Sequence, residues 1–279
     1  METMQTEEVL DLLKQVAAQV ITPRFRALTG AEIDQKSPGD YVTIADREAE
    51  QMITSALRSR HPGCLVVGEE AVFANPAILA GLADAEQAFT VDPVDGTGNF
   101  VRGSDKHAVM VAEMRSGQVT RSWIWQPQLQ VAWVAERGAG VWRNGQPVRR
   151  GPARERPLGA TSRHIWHGFD AGGRLAPVVD ANFCAGIDYP MLLQGEVDYL
   201  TYLRPKPWDH FPGLLMVQEA GGATVDIGGR LYDAHTDPQT TIVAACSAQI
   251  ARLVGSLWPA DGAHASGADG GVASPPVRG

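Results

Sequence analysis

Only 3 cysteines occur in 279 residues, at Cys64, Cys184 and Cys246, and none forms a CxxC pair. An odd, scattered set excludes a disulfide framework, so reduced and mostly buried thiols are expected. No apolar run approaches the roughly 20 residues that cross a bilayer. The opening METMQTEEVLDLLKQVAAQV has no basic segment leading into an apolar core. No signal peptide is therefore expected, and the cytoplasm is the expected location. Positive charge is also in short supply, with 24 Lys and Arg against 32 Asp and Glu, a net −8. That balance argues against nucleic acid or an anionic membrane as a partner. It leaves room for an anionic substrate, provided cations lie at the site. Neither GxxxxGK(S/T) nor a GxGxxG after a strand is present, which removes the common nucleotide-dependent kinases and dehydrogenases. The 7 histidines show no zinc-type spacing with the cysteines.

What is present is a chain in which helical and strand patterns alternate. Val9, Leu12, Leu13, Val16 and Val20 recur at helical spacing and predict a helix from Thr6 to about Leu28, ended or kinked at Pro23. KSPGDYVT reads as a turn-rich loop, and Ile44–Ser59 as a second helix. CLVVGEE reads as a short buried strand ending in acids, and AFTVD as another. From Lys106 to Val148 four Val- and Trp-rich stretches predict antiparallel strands, with Asn144-Gly145 as a hairpin turn. From about Gly151 the chain reads as loop. MLLQGEVDYLTYL then gives a helix end, a turn and a strand. WDHFPGLLMVQEAGG is a helix closed by glycines, TTIVAAC a strand, and SAQIARLVGSL a last helix capped by Ser247. The expected architecture is α/β (α+β) in layers. We expect an N-terminal half over 1–150, a C-terminal half over 151–258, and a disordered tail over 259–279.

Carboxylates gather at the ends of two of these strands. Glu69 and Glu70 follow CLVVG, and Asp92 and Asp95 follow AFTV. Two neighbouring strands ending together would crowd three or four carboxylates into one small volume. Their repulsion is hard to tolerate without protons or cations, and a hard ion such as magnesium is the simplest remedy. Pro93 stiffens the turn between the aspartates, and the Val94 carbonyl could add an oxygen ligand. Gly96 permits a sharp turn, and Thr97 would place a hydroxyl beside the ions. A phosphate could then sit on a short helix beginning there. The plainer alternative is an Asx turn and a helix cap at Asp92 and Asp95. Asp209, at the start of its helix, likewise reads as a cap when taken alone, and Pro212 fits a first turn. His210 is either a solvent-facing helix residue or a substrate contact.

Taken together, GEE, VDPVDGTGNF and WDHFPGLLMVQEAGG, in this order and spacing, resemble the inositol monophosphatase superfamily of magnesium-dependent, lithium-sensitive phosphatases. SPGDYVTIADREAE resembles the family's segment upstream, and the likeness runs from about Lys36 to Ala245. The resemblance implies a layered α/β/α/β/α sandwich and two or three Mg2+ ions. It implies Glu69, Asp92, the carbonyl of Val94, Asp95 and Asp209 as metal ligands. Asp46 and Thr97 correspond to the pair that helps activate the attacking water, with Glu69 in the same catalytic group. Asp95, Gly96, Thr97, Cys184, Ala185, Tyr202 and Asp209 correspond to the substrate contacts. Lys36 falls in the loop that approaches the site in relatives. Relatives are commonly homodimers.

The sequence also departs from the family. Gly98 stands where a second threonine is common. Phe211 and Pro212 replace two small residues. FCAGID occupies the place of a Gly-Ser/Thr-Ala turn, and Tyr202 replaces a glutamate that contacts the sugar ring. The catalytic half transfers better than the inositol-binding half. Two classes of function follow. One is hydrolysis of a small phosphate monoester, with inositol monophosphate the default. Histidinol phosphate, a 3′(2′),5′-bisphosphate nucleotide and a sugar bisphosphate are alternatives. The other is a non-catalytic member that regulates by binding.

Overall fold

The computed structural model describes residues 3–259; the tail expectation for 259–279 otherwise lies outside the described residues. Helix α1 spans Thr6–Val16, shorter than its periodicity predicts. A π-helical turn over Ala17–Ile21 and a 3-10 turn over Thr22–Arg24 follow it. Pro23 is the cause: it offers no N–H, and its ring crowds the carbonyl one turn back, so the helix widens and then stops. KSPGDYVT is not a plain loop. It carries the hairpin of β1 (Ile33–Ser37) and β2 (Asp40–Thr43), turned at Pro38-Gly39 with Gly39 at φ +83°. Helix α2 follows at Ile44–Arg60, opened by a capping box between Thr43 and Asp46.

Strand β3 (Leu65–Gly68) lies parallel to β4 (Gln87–Asp95). The two glutamates do not end that strand. They form the first turn of α3 (Glu69–Ala74), where the helix dipole favours negative charge. The region 108–147 is antiparallel as its pattern predicts, in β5 (Ala108–Arg115), β6 (Gln118–Gln126), β7 (Val131–Glu136), β8 (Gly140–Arg143) and β9 (Gln146–Pro147). Strands β3 to β9 run in sequence order across a 7-stranded sheet. Between β4 and β5 the chain turns through α4 (Thr97–Val101).

A 5-stranded sheet holds β11 (Val179–Asp180), β10 (Gly159–Thr161), β12 (Tyr199–Leu203), β14 (Thr241–Ala245) and β13 (Ala223–Asp226), in that order. Strands β10 and β11 are too short to show an alternating pattern, so the sequence reads as loop there. Helix α5 (Ala185–Leu193) and helix α6 (Pro207–Glu219) lie between the sheets, α6 touching β4 through β8 on one side and β13 and β14 on the other. Helices α1 and α2 cover the outer face of the large sheet, and α7 (Ala248–Leu257) covers the small one. The layers are therefore α/β/α/β/α. One apolar cluster runs from Met110 and Trp133 in the large sheet through Leu215 and Tyr189 to Leu200 and Ile242 in the small one. Ser247 caps α7, accepting from Ile250 N at 3.2 Å.

The three cysteines are unpaired. Among the described residues no helix is long and apolar enough to cross a membrane.

Candidate metal and phosphate site

Strand β4 carries the first two carboxylates to the site through a defect in its pairing. Asp92 pairs with Met110 and Asp95 with Ala108, so three steps on β4 match two on β5. Pro93 occupies this bulge, where its missing N–H breaks no ladder bond. Asp92 and Asp95 are both buried. Asp209 comes from the opposite layer, as the third residue of α6, so it is not the N-cap that its position suggests. Pro207 takes the first turn, Lys206 is the N-cap without a side-chain bond, and Pro212 lies inside the helix. Glu69 enters from α3.

Carboxylate oxygens of Glu69, Asp92 and Asp209 all lie within 4.8 Å of one another. Burial, followed by repulsion from Glu69, pushes the Asp92 and Asp209 carboxyls well above the usual range. An all-oxygen donor set that resists its own charge suits a hard divalent cation. These residues fit the magnesium that the family resemblance implies. Asp95 lines the same cavity, but its Oδ2 faces α5. It accepts from Gly186 N at 2.5 Å and lies 3.0 Å from the Cys184 thiol. Burial raises this carboxyl to about 6. Cys184 is buried, and burial pushes its thiol far above its usual range, which disfavours the thiolate.

Asp46 approaches from α2. Its Oδ2 accepts from Thr43 N at 2.8 Å and Thr43 Oγ1 at 2.5 Å, and its Oδ1 lies 3.1 Å from Thr97 Oγ1. The Thr97 hydroxyl is also 2.9 Å from the Val94 carbonyl. Burial raises the Asp46 carboxyl to about 7. Gly96 adopts φ +78°, and a Cβ there would meet Cys184 Cβ at 3.0 Å and the Lys106 carbonyl at 3.1 Å. Glycine is thus required where β4 turns into α4. Lys36, on β1, reaches Glu69 at 2.7 Å and Glu70 at 2.6 Å. Burial alone would lower its pKa, but these two carboxylates outweigh it and raise it.

Two adjoining cavities share Asp95, Phe183 and Asp209. The first, about 300 Å³, is lined by the acids together with Gly96, Thr97, Gly98 and Arg102. The second, about 420 Å³, is lined by Cys184, Ala185, Asp188, Tyr202, His210, Arg163 and Arg204. His210 is buried and does not face solvent. Its ring lies tilted 45° against Tyr202 with centroids 4.4 Å apart, and burial lowers its pKa to about 3, which favours the neutral ring.

Sequence reasoning missed several residues here. Glu50, on α2, accepts from Glu70 N at 2.8 Å and Ala71 N at 2.9 Å, capping α3 from another helix. Its only local signal is a second acid, one turn after Asp46, on a mostly apolar helix face. Arg102 donates to Asn99 Oδ1 at 2.9 Å, and a Cβ at Gly98 would lie 3.3 Å from its Nη1. A threonine at position 98 would crowd this arginine, which rationalises the departure. Arg163 and Arg204 carried no signal in the sequence.

The layers and this convergence of acids define an α/β/α/β/α protein with a donor set suited to a cation. Comparison with known proteins narrows the class. The model of the "Inositol monophosphatase family" matches residues 5–260. The chain belongs to that family. It is 28% identical over 206 residues to the "Fructose-1,6-bisphosphatase/inositol-1-monophosphatase" of Thermotoga maritima, covering 71% of this chain and 75% of that protein. It is 29% identical over 227 residues to the "Nus factor SuhB" of Pseudomonas aeruginosa, covering 76% and 82%. Its fold matches an "IMPase/NADP phosphatase complexed with Mg2+ and phosphate" with a TM-score of 0.71, at 19% identity over 91% of this chain and 94% of that one.

Proposed function

We propose that the protein hydrolyses a small phosphate monoester with magnesium-activated water. The carrying observation is the meeting of Glu69, Asp92 and Asp209 within 4.8 Å, beside the hydrogen-bonded Asp46 and Thr97. Glu69, Asp92, the Val94 carbonyl, Asp95 and Asp209 would hold two or three ions. When bound, magnesium supplies a water of lowered pKa and offsets the phosphate charge. Asp46 and Thr97 take and hold the proton of the attacking water. Gly96 and Thr97 offer N–H groups to the phosphate, and Arg102 adds a guanidinium at the rim. Hydrolysis needs no covalent enzyme intermediate, so the protein's share is positioning and charge. Unpaired cysteines support a reducing, cytoplasmic setting, and the family resemblance supports a homodimer.

Inositol 1-phosphate is the first ester to assay. A second reading rests on the larger cavity. Neither Arg163 nor Arg204 has a side-chain hydrogen bond or ion pair among the described residues, and both line the space beyond the phosphate site. That favours an ester with a second anionic group, such as a sugar bisphosphate or a bisphosphate nucleotide, over histidinol phosphate with its cationic end. The bisphosphatase activity in the name of the Thermotoga relative supports the same reading. The test is phosphate release across this panel, with and without magnesium and lithium. Turnover of no ester by magnesium-loaded protein contradicts the enzyme reading. The SuhB relative's name supports a regulatory alternative. Asp92→Asn separates the two, because an enzyme loses turnover whereas a regulator keeps its partner.

A further inference from the structure

A second group of possible metal ligands lies outside the acid cluster. The 3-10 turn His164–Trp166 and the residue after it place His164 and His167 on one side, and β11 brings Asp180 against them. The His164 and His167 Nδ1 atoms are 3.4 Å apart, and His164 Nδ1 is 3.6 Å from Asp180 Oδ1. Tetrahedral zinc with bonds of about 2.0–2.1 Å separates its ligand atoms by roughly 3.4 Å. The spacing is that of two edges of such a site.

The supporting structure orients His167 toward the site. His167 Nε2 lies 3.1 Å from the Thr161 carbonyl. The same Nε2 lies 3.3 Å from Asp180 Oδ1. Donation from Nε2 to these two oxygens would leave the Nδ1 lone pair facing His164. This is the carbonyl-to-histidine support that metal-binding imidazoles commonly have. Asp180 is set by strand register, paired with Thr161 across β10 and β11. The chain around the ligands is tied down: Gly168 N donates to the Val178 carbonyl at 2.8 Å, and Val178 N to the Phe169 carbonyl at 3.0 Å. No lysine or arginine pairs with Asp180 among the described residues; its carboxylate faces the two histidines.

We propose that His164, His167 and Asp180 form a transition-metal site, taking zinc or a similar borderline divalent ion and distinct from the magnesium cluster. Two nitrogen donors and one carboxylate select zinc over magnesium, which prefers oxygen throughout. Three protein ligands leave one position for water or an anionic oxygen. The site borders the larger cavity. Arg163 directly precedes His164, and the Phe183 ring, shared by both cavities, lies 5.8 Å from the His164 ring. A bound ion therefore clamps the turn that presents Arg163 onto the small sheet.

Cobalt(II) reports such a site by its visible absorption, which is intense when the ion is four-coordinate with nitrogen ligands and weak in an all-oxygen octahedral site. The full chain is titrated with micromolar Co2+ in excess Mg2+, which occupies the acid cluster. We expect one equivalent of intense absorption in the wild type, displaced by Zn2+. The absorption disappears in His164→Ala and in His167→Ala, with metal-free melting temperatures unchanged for His164→Ala, whose side chain is 74% exposed. A wild type without the intense band overturns the proposal, as does a band that persists in the His164→Ala variant. Neither result bears on the magnesium-dependent phosphatase reading, which is assayed separately.

Discussion

Thr97 Oγ1 lies 3.1 Å from Asp46 Oδ1, joining side chains 51 residues apart across the α2 and α4 starts. The hydroxyl has one proton to share between Asp46 and the Val94 carbonyl, 2.9 Å away. Water activation is the role proposed for this pair. Thr97→Ala should lower kcat by about 100-fold or more while changing KM little, in the range of removing a proton-transfer group. Thr97→Ser, which keeps the hydroxyl, should recover most of the rate. Steady-state kinetics on the best ester of the panel makes the comparison. Equal rates for the alanine variant and the wild type would remove the pair from the chemistry.

Gly68 ends β3 directly over the Glu50 carboxylate, and any Cβ there would overlap that group. Glu50 would have to move, leaving the Glu70 and Ala71 amides without their acceptor. Gly68→Ala should cost about 1–3 kcal/mol in urea unfolding, as overpacking does. It should also weaken magnesium binding, because Glu69 begins the helix that Glu50 caps. Glu50→Gln keeps the shape and should lose much less stability than Gly68→Ala.

Asp198 is buried and accepts from Arg150 at 2.6 Å, Arg154 at 3.0 Å and the Leu158 amide at 3.0 Å. Burial alone would raise its carboxyl, but these donors outweigh it and hold it below the ordinary 3.8. Stability from this group is therefore complete above pH 3.8 and is lost as pH falls through the lowered folded value. Asp198→Asn should destabilise by about 3 kcal/mol at pH 7, as loss of a buried ionic partner does. The gap between variant and wild type should narrow only below pH 3.8. Urea unfolding at a series of pH values reads both.

Arg204 and Arg163 line the cavity beyond the acids. Arg204→Ala should raise KM for a doubly anionic ester about 10-fold, the loss of one charge-assisted hydrogen bond, with kcat nearly unchanged. For inositol 1-phosphate the same substitution should change KM little. An equal effect on both esters would contradict a role in selecting a second anion.

Much of the fold was legible because long periodic stretches carried it. Helix α2 ends within one residue of its expected limit, and Ser247 caps α7 as read. The layer order follows from the resemblance and is borne out by the structure. Short elements were hidden: β10 and β11, of 3 and 2 residues, bury too little to imprint a pattern. The hairpin at Pro38-Gly39 was read as loop because its polar strands, Ile33–Ser37 and Asp40–Thr43, lack apolar alternation. At the candidate site, the acids were legible as motifs. Glu50, Arg163 and Arg204 were not, because each acts through tertiary placement that leaves no local spacing. Of the two readings of His210 the solvent-facing one fails, because α6 is sandwiched between two sheets and buries nearly every side, while the residue lines the larger cavity.

The central claim is that the folded chain builds a carboxylate pocket that requires a divalent ion. Isothermal titration of the metal-free protein with Mg2+ tests it most directly, beside Asp92→Asn. We predict saturable uptake by the wild type, and its loss in the variant without loss of fold. A wild type that takes up no magnesium, or a variant that binds it as well, would contradict the account.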